Sequence, residues 1–478
     1  MFLEVEINLK FLLYLTSLIV RMGSGKLPIQ FPPVFADRMK ATLGNDWNAF
    51  VQAHQHAAPV TIRINPAKFS KPDLPPVPWS KLGFYLESRP VFTLDPSFHA
   101  GAYYVQEASS LFLEQAILQT VDVSKPLRVL DLCAAPGGKS THLLSLLSAD
   151  SLLISNDAIR ARAQILWENV QKWGHSNVIV TNSDPSAFKQ LTGYFDIIVV
   201  DAPCSGEGLF RKDPEAGEHW SEEHVTLCAH RQQRILNDIW PALKENGLLI
   251  FSTCTFNPKE NEENLNSFSS EHAVEFISLN LNPDWGIESV NLNKVQGYRF
   301  YPHQAKGEGF FISVMRKKEN TEKIKIKPTG KFNTLPAKIV DRLKPWITTP
   351  ELFRWIQQEE LIIQISETMF TEAEWISKHL FPIGKGTAIA QLKHDKLIPE
   401  HAFALSHAIQ STHFHISDLN EAEAIAYLRK DTLLLSEGLK GFGLIRYQNN
   451  NLGWVNHLGN RTNNLYPANW RIRMLADH

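Results

Sequence analysis

The sequence predicts an α/β protein built on a parallel sheet, with a smaller α+β module on either side. Three short apolar runs carry the prediction: RVLD at 128–131, FDIIVV at 195–200 and LLIFST at 248–253. Runs of large and β-branched residues this short, each stopping at a small or reactive residue, are buried parallel strands that end in a site. Segments of helical period separate successive strands singly, which implies right-handed crossovers and a Rossmann-like order. The texture on both sides differs, with proline-rich sequence before residue 100 and a lysine-rich stretch after residue 317.

Length and composition set the outer bounds. A chain of 478 residues exceeds one core and points to two or three domains. Its 44% hydrophobic and 21% charged content is that of a soluble globular protein. A formal net charge of -2 gives no global signal for nucleic acid, so any such surface must be a local basic patch. The four cysteines are Cys133, Cys204, Cys228 and Cys254. Three fall at predicted strand ends rather than in a disulfide framework, which argues for a reducing, cytoplasmic compartment. Nothing has zinc-ligand spacing, and no metal is expected.

Residues 1–26 read as an extension of doubtful reality, with Met22 as the true start and a membrane-associating segment as the alternative. The apolar run from Phe11 to Val20 is shorter than the ~20 residues a spanning helix needs. Glu4 and Glu6 stand where a signal peptide carries positive charge. No stable membrane association is expected.

Taken in order, residues 27–100 form an α+β module, with LPPVPW (74–79) as a turn-rich stretch and VTIRINP (60–66) as a strand. Arg63 reads there as a surface arginine on a half-buried strand. YYVQEASSLFLEQAIL (103–118) reads as one helix burying Ala108, Leu111, Phe112, Ile117 and Leu118. It opens a core over 101–317, with strands at 127–132, 152–157 and 177–184 and helices at 139–148 and 161–173.

Between the first strand and its helix lies the loop Cys133, Ala134, Ala135, Pro136, Gly137, Gly138 and Lys139. Small residues there let a cofactor approach the backbone at a helix N-terminus. The loop is not GxGxxG, and hydride chemistry needs no pair of cysteines further on, so a nicotinamide enzyme is disfavoured. Asp157 stands about twenty residues beyond the glycines, where an acid can accept hydrogen bonds from both ribose hydroxyls of a nucleoside cofactor. Asp184 ends the following strand. Either acid alone would read as a cap or turn residue.

DAPCSGEG (201–208) closes the strand FDIIVV with an acid, a thiol and two glycines. Arg211 and Lys212 follow in a polar loop. Ser221 with Glu222 and Glu223 starts a helix, and Cys228 within it reads as a packed thiol. The strand LLIFST then delivers a second thiol, Cys254. Residues 297–317 read as a closing hairpin, and 318–331 as a basic linker in which Lys318, Lys323, Lys325 and Lys327 follow Lys317 with little acid.

From 332 to 478 the chain reads as helices bearing Trp346, Trp355 and Trp375, then short strands ending in a small barrel over 441–474. Arg446, Arg461, Arg471 and Arg473 meet almost no acid within that stretch. His413 and His415 read as surface residues.

The ordered set AAPGGK, DAPCSGEG and STCT resembles the S-adenosylmethionine-dependent RNA (cytosine-5) methyltransferases, of the bacterial small-subunit ribosomal RNA type. The end of the chain resembles a PUA RNA-binding barrel. The resemblance implies S-adenosylmethionine as cofactor, held by residues 133–139 with Asp157, Asp184 and Asp201, and Asp184 toward the adenine. It also implies that 27–100 is an RNA-contacting module, with Arg63 in its Arg-x-Asn segment. Residues 332–478 become an RNA-binding region, and Arg211 and Lys212 either touch phosphate or position their loop. The basic linker is a further RNA-facing candidate.

The chemistry explains why such a family carries two thiols and an acid. Carbon 5 of cytosine is a poor nucleophile. A thiolate adding at carbon 6 makes an enamine whose carbon 5 can take a methyl group, and an acid at N3 eases the addition. Composition does not rank the cysteines. By resemblance Cys254 is the nucleophile, Cys204 assists release and Asp201 serves N3. DNA cytosine methyltransferases use the proline-cysteine motif, which keeps the swapped assignment open. Ribosomal RNA is the expected substrate, naked or in the small subunit. Transfer RNA and a non-catalytic RNA-binding assembly factor are the alternatives.

Overall fold

The structure is a computed structural model that describes residues 31–433 and 438–474; the doubtful extension 1–26 lies outside them. The N-terminal module begins with helices α1 (Pro33–Leu43) and α2 (Trp47–Gln55). It continues with an antiparallel sheet of β1 (Val60–Ile64), β2 (Gly83–Leu86) and β3 (Tyr103–Val105), in the order β2-β1-β3.

β3 corrects the single helix expected over 103–118. Ile62 lies opposite Val105 and Ile64 opposite Tyr103, because two tyrosines and a valine suit a pleated, half-buried edge. Only Leu113–Leu118 (α3) is α-helical, after a 3-10 turn at Ser109–Phe112. Leu111, Phe112 and Ile117 are buried as expected.

The core runs β4 (Arg128–Asp131), α4 (Gly138–Leu146), β5 (Leu152–Asn156), α5 (Arg160–Trp173), β6 (Val178–Thr181), β7 (Phe195–Asp201), α6 (Glu222–Ile239), β8 (Leu243–Thr253) and α7 (Glu262–Glu271). Ser221 caps α6, its hydroxyl accepting from the His224 N–H at 3.1 Å. The strands lie parallel in the order β8-β7-β4-β5-β6. Successive residues alternate between the faces: Val129, Leu153, Ile197 and Leu248 meet α4 and α5, while Leu130, Ile154, Ile198 and Leu249 meet α6 and α7. Both faces are covered, so these strands are apolar throughout.

At the β8 edge the sheet continues through β9 (Val274–Phe276), β10 (Ile287–Leu292), β11 (Val295–Phe300) and β12 (Phe310–Lys317), the last two forming the expected closing hairpin.

The stretch after β12 is not a free basic linker. Lys317 is buried and its ammonium donates to the carbonyls of Trp240 at 2.8 Å and Leu243 at 3.0 Å. Lys318 pairs with Glu275, and Ile324 and Ile326 pack on the core. The alternation Lys-Ile-Lys-Ile-Lys gives one apolar face to dock, which a count of lysines misses.

The C-terminal region contains α8 (Ala337–Leu343), β13 (Phe353–Gln358), β14 (Leu361–Ser366), α9 (Phe370–His379), β15 (Pro382–Lys385), β16 (Thr387–Lys393) and β17 (Lys396–Pro399). Trp355 sits on strand β13 rather than on a helix. β15 pairs antiparallel with β6 and covers the far edge of the core sheet.

The chain closes with β18 (His415–Asp418), α10 (Glu421–Arg429), β19 (Lys440–Tyr447), β20 (Asn450–Leu458) and β21 (Thr462–Asn464), the strands forming one sheet in that order. Arg446 is paired with Asp418, which faces it across β18 and β19. That acid precedes the stretch in which Arg446 read as unopposed. His413 and His415 are exposed. No helix among the described residues is long and apolar enough to cross a membrane.

Candidate active site

The parallel strands all end along one edge, and every candidate side chain lies there. In spatial order the edge presents Cys254 after β8, Asp201 and Cys204 after β7, the small-residue loop after β4, Asp157 after β5 and Asp184 after β6. Strand ends of an open parallel sheet are where such folds bind ligands.

The loop after β4 turns tightly into α4. The Ala134 N–H donates to Asn156 O at 2.8 Å, and the Gly137 N–H to Ala134 O at 2.8 Å. Gly137 has φ +114°, a left-handed conformation that favours glycine. Asn169 and Arg162 hold the carbonyls of Pro136 and Ala135 at 2.8 and 3.1 Å. Gly138 opens the helix, and half-buried Cys133 has a thiol that burial pushes far above the usual cysteine range.

Asp131, at the end of β4, is buried and accepts from Ser140 Oγ at 2.7 Å, while its other oxygen has no partner. Burial pushes its carboxyl up to about 7. Asp157 is buried and accepts from the Ile159 N–H at 2.9 Å, with Arg162 at 3.2 Å. Asp184 is half exposed, caps the turn Pro185–Gln190 and pairs with Arg234 at 3.3 Å. Partial burial opposes the Asp184 charge, but Ser186 and Arg234 outweigh it and hold the carboxyl below its usual range.

Two strand-end thiols meet from different strands. Cys204 Sγ and Cys254 Sγ are 3.1 Å apart, and both residues are partly accessible. Their loops are stitched by Gly208, whose N–H donates to Cys254 O at 2.9 Å. A Cβ at Gly208 would lie 2.5 Å from Gly309 O and 2.8 Å from Cys254 O, so the approach requires glycine. The hydrogen bond with Cys254, together with burial, holds the Cys204 thiol well above the cysteine range.

Asp201 joins this pair to the small-residue loop after β4. Its carboxylate is 2.8 Å from Lys139 Nζ and accepts from Ser252 Oγ at 2.8 Å. Burial works against the Lys139 ammonium, yet Asp201 and Asp131, with Cys254 adding, outweigh it and raise its pKa.

Two arginines stand elsewhere than expected. Arg63 is fully buried: it donates to Gln106 Oε1 at 2.9 Å, Gly138 O at 3.2 Å and Thr141 Oγ1 at 2.5 Å, and lies over the Trp173 ring at 4.4 Å. It therefore holds the first turn of α4 rather than meeting solvent or RNA. Arg211 is likewise buried and donates to the carbonyls of His56 and Ala57 at 3.1 and 2.8 Å, which makes it a loop-positioning residue. Lys212 is exposed.

The sequence reading missed Glu260, Ser205 and Thr255. Glu260 is fully buried and accepts from the Ser205 N–H at 2.7 Å, Ser205 Oγ at 2.5 Å and Thr255 Oγ1 at 3.3 Å. Burial pushes its carboxyl up to about 7, against the pull of the Ser205 hydrogen bonds. In sequence it is one of several acids near a helix start, with nothing to mark it out.

This fold and this edge, with thiols, acid and small-residue loop in one row, define a Rossmann-like S-adenosylmethionine-dependent methyltransferase. Residues 118–316 match the family model for 16S rRNA methyltransferase RsmB/F, residues 31–108 that for the N-terminal domain of 16S rRNA methyltransferase RsmF, and residues 414–472 that for the methyltransferase RsmF PUA domain. The chain is 30% identical to a ribosomal RNA small subunit methyltransferase F from Shewanella loihica, over 85% of this chain and 88% of that protein. It is also 30% identical to the protein of that name from Aeromonas salmonicida, over 92% and 96%. The chain belongs to the ribosomal RNA small subunit methyltransferase F family. Among solved structures, a methyltransferase homolog protein from Pyrococcus horikoshii aligns with a TM-score of 0.51 and 28% identity, over 63% of this chain and 98% of that one. NSun6 from the same organism shares the fold, with a TM-score of 0.52 at 21% identity, over 62% of this chain and all of that one.

The residues present fit the cofactor. S-adenosylmethionine carries a sulfonium and an ammonium against one carboxylate, and Asp157 and Asp201 bring carboxylates to the same edge as buried Asp131, one oxygen of which is unpartnered. The first turn of α4 offers N–H groups to the carboxylate end.

Proposed function

We propose that this protein methylates carbon 5 of a cytosine in small-subunit (16S) ribosomal RNA, in the cytoplasm, through a covalent adduct between Cys254 and carbon 6 of the base. The observation that carries the reading is the 3.1 Å approach of Cys204 Sγ to Cys254 Sγ beside an acid ion-paired to the cofactor loop. When bound, S-adenosylmethionine supplies a methyl group activated on a sulfonium.

Cys204, held in its protonated form, can donate a hydrogen bond to the Cys254 sulfur, and the Lys139 ammonium interacts with that sulfur as well. Cys254 then adds to carbon 6 of a base extruded from its stack. Asp201 serves N3, and the Lys139 ammonium beside it holds the proton that N3 requires. After methylation, Cys204 passes its S–H proton to the departing Cys254 sulfur and takes the carbon 5 proton in its place. N3 returns its proton to the Asp201–Lys139 pair, and the double bond re-forms as the carbon–sulfur bond breaks. Residues 133–139 with Asp157 and Asp184 hold the cofactor in this reading, Asp157 toward the ribose and Asp184 toward the adenine. The PUA-matching end and the N-terminal module hold the RNA.

The experiment is denaturing gel analysis of Cys204→Ser and Cys254→Ser proteins with S-adenosylmethionine and total RNA. A protein–RNA adduct in Cys204→Ser alone, its RNA being 16S, supports the reading. The reverse pattern swaps the cysteines, an adduct with transfer RNA changes the substrate, and RNA binding without methylation by the wild type turns the protein into a non-catalytic binder.

A further inference from the structure

We propose that Glu260 is a positioning residue that sets the spacing of the two reactive thiols by tying together the residues that follow them in the chain. The inference rests on the roles given above to Cys204 and Cys254. Ser205 follows Cys204 and Thr255 follows Cys254, and the two loops leave different strands, β7 and β8. One carboxylate oxygen of Glu260 takes the Ser205 N–H at 2.7 Å, and the other takes Ser205 Oγ at 2.5 Å and Thr255 Oγ1 at 3.3 Å. The two hydroxyls are themselves 3.1 Å apart. A backbone N–H on one loop and hydroxyls on both are thus referred to a single group.

The chemistry needs such a reference. Two half-buried thiols on separate loops keep a hydrogen-bonded spacing only if their backbones are fixed, and a small misplacement costs rate steeply. A carboxylate suits the task because its two oxygens accept several donors at once. Glu260 is fully buried and is bonded to residues beside the thiols rather than to the thiols themselves, so it positions and does not react. Placing an acid out of water is costly unless it is hydrogen-bonded, and these bonds are its compensation.

The test uses the full chain and the arsenical phenylarsine oxide, which binds two closely spaced thiols. Both S–H bonds break, two As–S bonds form and the oxygen leaves as water, with no change of oxidation state. Cys204→Ser serves as the control that reports binding at Cys133, Cys228 or Cys254 without the pair.

Glu260→Ala is expected to bind the arsenical about tenfold more weakly and to lose kcat by at least as much, with KM for S-adenosylmethionine within about twofold of wild type. Glu260→Gln, whose oxygen can still take the Ser205 N–H and whose amide can donate to the hydroxyls, is expected to rescue both. Thr255→Val cuts the tether to one loop only and is expected to weaken arsenical binding even if Glu260→Ala fails to fold.

Wild-type arsenical affinity in folded Glu260→Ala or in Thr255→Val overturns the proposal, as does loss confined to KM. Capture of the arsenical that depends on Glu260, in a wild type that methylates no RNA, upholds the positioning role while the proposed function falls.

Discussion

Lys139 Nζ lies 2.8 Å from Asp201 Oδ2, so the last residue of the cofactor loop and the acid beside the thiols form one ion pair across two strand ends. In the function proposed above, this single contact couples the residues that hold the methyl donor to those that meet the base. Lys139 also interacts electrostatically with Cys254. Replacing it with methionine keeps an apolar stem and removes the charge that lies over the Phe310 ring. A charged hydrogen bond is worth about 2 kcal/mol, so Lys139→Met should lower kcat/KM roughly 30-fold. Steady-state methyl transfer checks this, and a change confined to RNA affinity would contradict it.

Arg63 should behave as an internal brace. Arg63→Met leaves the carbonyls of Gly138 and Thr141 and the Gln106 amide short of a donor, at a cost of about 3 kcal/mol. Urea unfolding should show that loss, and KM for S-adenosylmethionine should rise because α4 starts at the cofactor loop. RNA affinity at saturating cofactor should move by less than about twofold, since the guanidinium is out of reach of solvent.

Asp157→Ala tests the ribose assignment. Loss of hydrogen bonds from a charged acceptor should weaken cofactor binding by about 10- to 100-fold. Calorimetry with S-adenosylmethionine gives the number, and RNA binding should be unchanged. Unaltered cofactor affinity would reduce Asp157 to the loop residue that its bond to the Ile159 N–H also makes it.

Buried histidines such as His54, His99 and His142, held down to about 4, make stability rise with pH. Burial instead raises the Asp131 carboxyl to about 7 against about 3.9 in the unfolded chain, so this group's own contribution falls as the pH rises from about 4 to about 7. Within that window the native state alone holds the proton, so raising the pH favours unfolding. Glu260, also raised to about 7 by burial, acts in the same direction. Asp131→Asn should remove this contribution, seen as an unfolding midpoint that changes relative to wild type more favourably at about pH 8 than at about pH 5. An unchanged slope would refute the assignment.

The arginines near the C-terminus separate by environment. Arg446 is bound to Asp418, whereas Arg471 and Arg473 are exposed. Arg471→Ala and Arg473→Ala should each weaken RNA binding and reduce the salt dependence by about one phosphate contact. Arg446→Ala should do neither, and a filter-binding series over salt concentration distinguishes them.

By itself the sequence determined the alternating core, the strand ends that bear Cys204, Cys254 and Asp201, the small-residue loop and the cap at Ser221. These features are local: burial on both faces makes a strand continuously apolar, and a cap or tight turn needs particular residues within a few positions. Tertiary structure alone decided which polar groups meet. Arg63 and Lys317 read as surface cations, yet each ends in the interior on backbone carbonyls that distant segments present. The acid opposite Arg446 came from another strand, and YYV at 103–105 became a strand because β1 offered it an edge. Glu260 shows the limit most plainly. Its partners are Ser205 and Thr255, residues beside thiols whose loops lie 50 positions apart in the chain, and no local pattern records a hydrogen bond across that separation.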